Sequence, residues 1–452
     1  MLRKSNSLLL IFLTLTLISP LAWSDDWLFT DVDRVVAISD VHGDYDAMVA
    51  TLKSAKVLAE DLSWSGGKTH LVIVGDILDR GPKSRAVMDL LMRLEGEAVA
   101  AGGLVHVLIG NHESMILIGD MRYTSKDEYA AFASEEDPDE RNRGLRLFVE
   151  RQGGDPRELR AKFNEQFPPG YFAMRRAFRP DGRYGEWLLK KNIIDVINGT
   201  AFVHGGLSPE IAHIGLAGVN EKLQKELVDY VKVLATLMDA EILLPTDSHY
   251  DYSTILSNYL PSLREDAAIL QAIADGIRLD NSAVLDTNGP LWYRSNVQCP
   301  TIVEEYRLDA VLDAIGAERV VVGHTPTPNR EILQRFGGRL IEIDTGMLSF
   351  YYKGSGHALV LEGESVSVTT QSGMTALLPE EHPRHVGWRP GDLTTLQLQQ
   401  LLEQGEIIPV EKVAGAANTP PRTMVKVSDG SSAVTALFEK SNRGAYPGVA
   451  AY

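Results

Sequence analysis

The chain has 452 residues, 44% of them hydrophobic, which is enough to bury a large core and predicts two or three domains. Its formal net charge of −17 argues against a nucleic-acid partner, because no basic stripe compensates for it. The single cysteine, Cys299, excludes an intramolecular disulfide, so the stability of the fold must come from its core.

The first 24 residues have the pattern of a secretory signal peptide. Arg3 and Lys4 precede an uncharged apolar stretch from Leu8 to Ile18, and Ala22-Trp23-Ser24 is a suitable cleavage site. The apolar stretch is shorter than a typical membrane span, although an uncleaved anchor is the alternative. Because no second apolar stretch of that kind follows, we expect an exported protein, periplasmic or secreted, with no stable membrane span after cleavage.

Three apolar runs near the start of the chain each end in a short polar signature. They are Val35–Ser39 before Asp40-Val41-His42-Gly43, Leu71–Val74 before Gly75-Asp76-Ile77-Leu78-Asp79-Arg80-Gly81, and Leu104–Ile109 before Gly110-Asn111-His112-Glu113. Runs of Val, Ile and Leu without alternation predict strands buried on both faces of a parallel sheet. Helical patterns at 44–56 and 84–97 separate the runs, so the order is β-α-β-α-β. In such sheets ligands bind outside the carboxyl ends of the strands, where the polar signatures would lie.

The middle of the chain is mostly helical. Residues 119–186 predict a helical cap insertion over the strand ends that would shape substrate access, or alternatively a solvated surface excursion without a role. A second helical block covers about 220–277. Strands resume at 319–322, 339–343, 357–361 and 365–370, and their more alternating pattern predicts an antiparallel second sheet.

The expected domain organisation follows from these changes of pattern. We expect a main domain at 25–372, which contains the three polar signatures, and a C-terminal appendage of unknown role at 373–452. Within the appendage, the pattern predicts a helix at 392–404 and a hairpin formed by 424–427 and 433–438.

Two further apolar runs end in histidine, namely the runs before His204 and before His324. Together, five strand ends would bring carboxylate, imidazole and amide groups to one place, a donor set that suits two divalent metal ions such as manganese, iron or zinc. Asp40 and His42 would complete one metal site with Asp76. Asn111, His204 and His324 would complete the other, again with Asp76 as the bridging carboxylate. Two metals about 3.5–4 Å apart would hold a hydroxide and direct it in line at phosphorus.

The remaining polar residues suit phosphate-ester chemistry. His112 is the candidate general acid on the leaving oxygen, oriented by Asp79. Arg80 and Arg294, together with Asn111, are the candidates for binding the phosphate oxygens. Each signature alone has an ordinary explanation, such as a turn, a helix cap or a core histidine. Five signatures in one order make coincidence improbable.

As a set, these motifs resemble the signature of the calcineurin-like metallophosphoesterases, and within them the phosphoprotein phosphatase branch. The matching motifs are Asp40-Val41-His42-Gly43, Gly75-Asp76-Ile77-Leu78-Asp79-Arg80-Gly81, Gly110-Asn111-His112-Glu113, His204-Gly205-Gly206 and Gly323-His324-Thr325. The resemblance implies a four-layer α/β/β/α sandwich. It also implies a metal-dependent phosphatase that acts on phosphorylated protein, peptide or small phosphoesters without a phosphoenzyme.

The sequence differs from the eukaryotic members of this branch at two places. Ile109 stands where the eukaryotic serine/threonine enzymes have arginine, and Ile343-Asp344-Thr345-Gly346-Met347 replaces their Ser-Ala-Pro-Asn-Tyr segment. The chain is in this respect similar to the bacterial Shewanella-like protein phosphatases, which implies an inclination to phosphotyrosine. Trp292-Tyr293-Arg294 and Asp344-Thr345-Gly346 also resemble the symmetrical diadenosine tetraphosphatases, so a nucleotide or diadenosine-polyphosphate hydrolase is an alternative. A non-catalytic, metal-holding binding module is the second alternative.

Overall fold

Two six-stranded sheets form the centre of the computed structural model, which describes residues 27–260 and 266–377 and three later strands. One sheet has the strand order β12-β11-β10-β2-β3-β4 and the other β1-β5-β6-β7-β9-β8. The strands are β1 (Leu28–Phe29), β2 (Arg34–Ile38), β3 (His70–Ile73), β4 (Leu104–Val107), β5 (Ile194–Ile197), β6 (Thr200–Val203), β7 (Arg319–Val322), β8 (Leu333–Arg335), β9 (Leu340–Glu342), β10 (Ala358–Glu362), β11 (Ser365–Thr370) and β12 (Gly373–Ala376).

Helices cover the outer faces of the two sheets. They are α1 (Tyr45–Ser54), α2 (Ser84–Ala100), α3 (Asn111–Ile118), α4 (Lys126–Ala130), α5 (Pro138–Gln152), α6 (Pro156–Gln166), α7 (Tyr171–Ala177), α8 (Arg183–Leu188), α9 (Pro209–Gly218), α10 (Gln224–Asp239), α11 (Tyr252–Tyr259), α12 (Ala267–Leu279), α13 (Ser295–Gln298), α14 (Thr301–Ile315) and α15 (Ser349–Tyr352). Short 3₁₀ turns occupy Ala133–Glu135, His249–Asp251 and Phe336–Gly338, and a π-helical turn, Val219–Leu223, joins α9 to α10.

Alternate residues of the central strands pack on opposite sides of each sheet. Val35 and Ala37 of β2 face the space between the sheets, where they meet Phe202 and Val321 of the other sheet. Their neighbours on β2, including Val36, belong to the larger core under the helices. Because successive side chains of a strand point to opposite faces, this division produces helix, sheet, sheet and helix layers. The predicted α/β/β/α fold class is confirmed.

The parallel pairing of the first three strands is as predicted, but the later strands are arranged differently. β2, β3 and β4 are parallel neighbours, whereas β10 and β11 join this same sheet as an antiparallel extension of β2. β7 and β9 lie parallel in the other sheet. The prediction of a separate antiparallel sheet is therefore wrong. The alternation in β11 arises because it lies towards the sheet edge, with one face partly open to solvent.

The segment 119–186 contains the helices α4 to α7 and the start of α8, and its first part borders the loop after β3. The N–H of Arg80 donates to the carbonyl of Tyr123 at 2.9 Å, and Ser125 Oγ donates to the carbonyl of Gly81 at 3.2 Å. These contacts fix Tyr123 and Thr124 beside the strand ends. The insertion therefore forms one wall of that region.

Some expectations concern residues beyond the described ranges. The signal peptide at 1–24 and the helix at 392–404 lie outside them. The predicted hairpin is present as β14 (Arg422–Ser428) and β15 (Ala433–Phe438), with β13 (Ile407–Val413) as a third antiparallel strand. β12 continues the sheet for one strand past residue 372. Within the described part of the chain, no helix has the length and apolar character needed to cross a membrane.

Candidate active site

The loops after β2, β3, β4, β6 and β7 bring buried polar side chains together around Asp76. Its carboxylate oxygens lie 3.2 Å from His204 Nε2, 3.7 Å from His42 Nε2 and 3.8 Å from His112 Nε2. All four side chains are almost completely buried. Residues far apart in the sequence thus meet at the carboxyl ends of the strands, as the position of the motifs predicts.

Asp76 belongs to two groups of side chains that could each hold a metal ion. One group is His42, Asp76 and His112, and the other is Asp76, His204 and His324. Asp40 lies at the edge of the first group, with Oδ2 3.9 Å from His42 Nε2. Asn111 belongs beside the second, because its Oδ1 lies 3.0 Å from His204 Nε2. The structure therefore brings together all six predicted metal ligands and adds His112 to their immediate surroundings.

The orientation of the imidazole rings fits cations in these positions. His42 Nδ1 lies 3.0 Å from the carbonyl of Leu78, and His204 Nδ1 lies 2.7 Å from that of Val74. In the neutral form of each ring, the proton on Nδ1 is donated to the carbonyl, which leaves the Nε2 lone pair facing the Asp76 carboxylate. Among the described residues, His324 Nε2 is buried without a hydrogen-bond partner. Facing lone pairs of this kind repel one another unless a cation or proton lies between them.

The electrostatics of the cluster follow from burial and from Asp76. Burial lowers the pKa of His42 and of His324 well below the usual value, so both rings favour the neutral form that binds metals. Burial opposes a charge on His204 as well, but Asp76 outweighs it and raises the pKa of His204 to about 9. Burial acts to raise the pKa of Asp76, yet His204 and His112 hold that pKa well below its ordinary value. Asp76 is therefore the carboxylate that stays ionised.

The backbone of these loops is unusual. Gly75 has a φ of 77°, and a Cβ there would lie 2.6 Å from the Cα of Gly110 and 2.9 Å from His204 Nδ1. Several non-glycine site residues also have positive φ, where L residues are disfavoured. They are Asp40 (24°), His42 (46°), Asp76 (52°), Asp79 (69°), Arg80 (67°) and His324 (67°). Strained backbone of this kind concentrates where side chains must be aimed at a common point.

His112 and Asp79 form a buried pair beside the metal-ligand groups. His112 Nδ1 lies 2.7 Å from Asp79 Oδ2, and Asp79 Oδ1 accepts a hydrogen bond from Thr124 Oγ1 at 2.9 Å. Burial opposes a charge on His112, but Asp76 and Asp79 outweigh it and raise the pKa of His112. The raised pKa favours a proton on His112 Nε2, the nitrogen that faces Asp76, and a general acid requires such a proton.

Both predicted phosphate-binding arginines border the cluster. Arg80 contacts His42 Nε2 through Nη1, and its guanidinium lies over the rings of Tyr123, Tyr351 and Tyr352 at 5.0–5.5 Å. Arg294 Nη1 donates to the carbonyl of His324 at 2.9 Å and to Thr325 Oγ1 at 2.8 Å. Apart from the contact with His42, Arg80 is held by cation–π contacts, which leave its other guanidinium donors available to an anion.

Three further residues support the site. Asp344 is fully buried, and burial together with Asp40 raises its pKa well above the usual value. The Tyr352 hydroxyl lies 3.4 Å from His42 Nε2. Glu128 Oε1 accepts a hydrogen bond from the N–H of Asp79 at 3.0 Å. Asp344 belongs to a segment that the sequence analysis singles out, whereas Glu128 and Tyr352 come from segments remote from the motifs, so only tertiary packing reveals these two.

Glu113 is a buried carboxylate that holds the two central loops. It accepts hydrogen bonds from the N–H groups of Gly110 and Asp76 at 2.8 Å and of Ile77 at 2.9 Å. Its position as the third residue of α3 is typical of a capping glutamate, a signal that the sequence does contain. Glu113 thereby sets the position of Asp76 relative to Asn111.

Replacing Glu113 by glutamine should weaken metal binding. The amide nitrogen would face N–H donors, so at least one of these hydrogen bonds is lost in the buried loop. We expect a loss of about 1–3 kcal/mol in the free energy of unfolding and of roughly 10–100-fold in metal affinity, measured by urea unfolding and metal titration. The control is Glu60→Gln, since the Glu60 side chain is 93% exposed. Unchanged metal affinity in Glu113→Gln would contradict the positioning role.

Comparison with known proteins agrees with this geometry. The family model of the calcineurin-like phosphoesterases matches residues 33–341, which include strands of both sheets and the loops after β2, β3, β4, β6 and β7. The chain belongs to the calcineurin-like phosphoesterase family. The predicted membership, and with it the class of metal-dependent phosphoesterases, is confirmed.

Named relatives of this phosphoesterase include Shewanella-like protein phosphatases. It is 34% identical over 208 residues to Shewanella-like protein phosphatase 2 of Arabidopsis thaliana, a match that covers 43% of this chain and 52% of the relative, about half its length. It is 24% identical to Shewanella-like protein phosphatase 1 of Plasmodium berghei, covering 70% of this chain and 68% of the relative. A solved structure of a cold-active protein-tyrosine phosphatase of a psychrophilic Shewanella species is 26% identical, with a TM-score of 0.49 and coverage of 78% and 82% of the two chains.

Proposed function

We propose that this phosphoesterase is an exported phosphatase that uses two divalent metal ions to hydrolyse phosphomonoesters on proteins or peptides, with phosphotyrosine as its preferred substrate. One observation carries the proposal. His112 Nε2 belongs to one of the two ligand groups and lies 3.8 Å from Asp76, while its Nδ1 lies 2.7 Å from the buried Asp79, which belongs to neither group. Ligand groups alone would suit a binding module, but binding a metal does not require a leaving-group acid next to it.

The residues divide the reaction between them. Two divalent ions held by the Asp76 groups would lower the pKa of a water molecule and stabilise charge on the phosphate oxygens. Arg80, Arg294 and Asn111 orient the phosphate for direct in-line displacement at phosphorus. His112 then donates its proton to the leaving oxygen, while Asp79 holds the ring in position. The donor set suits manganese, iron and zinc.

Two features support a protein or peptide substrate with an aromatic ester. Both named relatives are called protein phosphatases. In addition, Tyr123 and Tyr352 flank the site, with ring centroids 5.1 Å from the His112 ring and 5.7 Å from the His42 ring. Aromatic rings at these distances would pack against the phenyl ring of phosphotyrosine. The side chain of phosphoserine is shorter and has no ring, so it would make less contact with these tyrosines.

The test compares substrates on the protein loaded with manganese, iron or zinc. We expect hydrolysis of p-nitrophenyl phosphate and of a phosphotyrosyl peptide, slower hydrolysis of the matching phosphoseryl peptide, and loss of all activity with a chelator. Diadenosine tetraphosphate hydrolysed faster than the phosphopeptides would favour the nucleotide alternative. Absence of p-nitrophenyl phosphate hydrolysis with every metal would favour the binding module.

The proposed export depends on the pattern of the first 24 residues. Cleavage after Ser24 would give a mature protein that begins at Asp25. The N-terminal sequence of the protein recovered from its native compartment tests this directly. A protein that retains Met1 or Leu2 would contradict cleavage.

A further inference from the structure

In the described part of the chain, Arg80 and Arg122 contact three exposed tyrosines. In the described ranges, the aromatic residues classed as exposed are Tyr123, Tyr250, Phe350 and Tyr351, at 38%, 62%, 60% and 53%. Tyr123 and Tyr351 both contact the Arg80 guanidinium, and Phe350 directly precedes Tyr351. Large exposed aromatics collected in one place are a common mark of an interaction surface.

Two tyrosines with an arginine between them form a row that leads away from His112. Tyr123 lies against the His112 ring, and the Arg122 guanidinium lies 5.1 Å from the centre of the Tyr123 ring. The same guanidinium lies 5.2 Å from the centre of the Tyr250 ring. We call Arg122, Tyr123 and Tyr250 the aromatic rim. The two steps along it are 5.1 and 5.2 Å, and an extended peptide advances about 3.3 Å per residue, so the rim can follow roughly three residues.

Asp120 holds the outer part of the aromatic rim in place. It is 95% buried, accepts a hydrogen bond from the Tyr250 hydroxyl at 3.4 Å, and lies 3.1 Å from Arg122 Nη2. Its own N–H donates to the carbonyl of Met115 in α3, the helix that begins with Asn111 and His112. The rim is therefore fixed to the same helix as the catalytic residues. A surface ordered in advance binds with less loss of side-chain entropy.

We propose that the aromatic rim binds the segment of the substrate that flanks the phosphorylated residue, and that it prefers apolar or aromatic side chains there. This inference rests on the proposed function, since it assumes a peptide ester in the site. Arg122 occupies one face of Tyr250 and is itself paired with Asp120, so the ring presents a largely neutral surface. Aromatic anchors of this kind supply much of the binding energy at peptide interfaces.

The test separates peptide recognition from the reaction itself. Tyr250→Ala should lower kcat/KM roughly five- to tenfold for a phosphotyrosyl peptide with aromatic flanking residues, mainly through KM. It should leave p-nitrophenyl phosphate and a glycine-flanked phosphotyrosyl peptide unchanged, because neither reaches Tyr250. The matched control is Val99→Ala in α2, since Val99 is also 62% exposed. Thermal unfolding of each variant verifies the fold.

Failure of this inference and failure of the proposed function give different experimental results. If the wild type hydrolyses p-nitrophenyl phosphate but Tyr250→Ala affects all substrates equally, or none, the rim does not bind the flanking segment. A selective loss on diadenosine tetraphosphate would assign the rim to a nucleotide and overturn the inference. If the wild type hydrolyses no phosphate ester with any metal, the proposed function itself fails, a result that the Tyr250 variant does not affect.

Discussion

Replacing Asp76 by asparagine is expected to abolish turnover while the protein stays folded. Asp76 is the one residue common to both ligand groups, so a neutral side chain there weakens both metal sites at once. The change keeps the shape of the side chain, and the remaining oxygen can still accept the hydrogen bond from the N–H of His112, now 3.0 Å long. We expect kcat/KM for p-nitrophenyl phosphate to fall on the order of a thousandfold or more.

The control for this change is Asp46→Asn, because the Asp46 side chain is 75% exposed and is not one of the site residues. Metal content per chain, measured alongside activity, should fall in Asp76→Asn and remain normal in the control. Thermal unfolding without added metal should be similar in both. An Asp76→Asn variant that keeps more than about a tenth of the activity would remove Asp76 as the shared ligand.

Replacing His112 by asparagine should lower kcat by different factors for substrates with different leaving groups. An alkyl alkoxide leaves poorly without a proton, so alkyl phosphates should lose roughly 10²–10⁴-fold in kcat. The p-nitrophenolate ion is stable without protonation, so p-nitrophenyl phosphate should lose about tenfold or less. Asparagine can still donate a hydrogen bond to the buried Asp79, which limits damage to the fold.

The comparison requires a matched histidine outside the site. His213 in α9 is exposed, and His213→Asn should leave both classes of ester unchanged. Equal losses on alkyl and aryl esters in His112→Asn would show that His112 does not protonate the leaving oxygen. Its role would then be confined to positioning, through the contacts with Asp79 and Tyr123.

Local sequence signals predict the elements that carry the site. Asp44 caps α1 as its position suggests, accepting a hydrogen bond from the N–H of Ala47 at 3.1 Å. α2 begins at Ser84 as expected and continues to Ala100, three residues beyond the predicted end. The strand runs before Asp40 and Asp76 are unbroken by polar residues, so their ends are defined by the motifs themselves. These features depend on neighbouring residues and can be read from a single sequence.

Other features depend on contacts between distant segments. β10 pairs with β2 although more than 300 residues separate them along the chain, as the register Leu359 with Ala37 shows. An antiparallel strand at a sheet edge and one in a separate sheet have the same alternation, so the pattern could not distinguish them. Glu128 and Tyr352 reach the site in the same way, from helices whose sequences contain no motif.

The left-handed backbone of the site has a consequence for how this protein changes over evolution. Asp40, Asp76 and Asp79 occupy conformations that glycine would adopt with less strain, on the order of 1 kcal/mol per position. Glycine would relieve this strain but would remove the carboxylates that accept hydrogen bonds from the N–H groups of His112 and His324, and each buried donor left without an acceptor costs about 1–3 kcal/mol. The fold therefore favours the same aspartates as the reaction, so relatives that have lost the activity should still keep them.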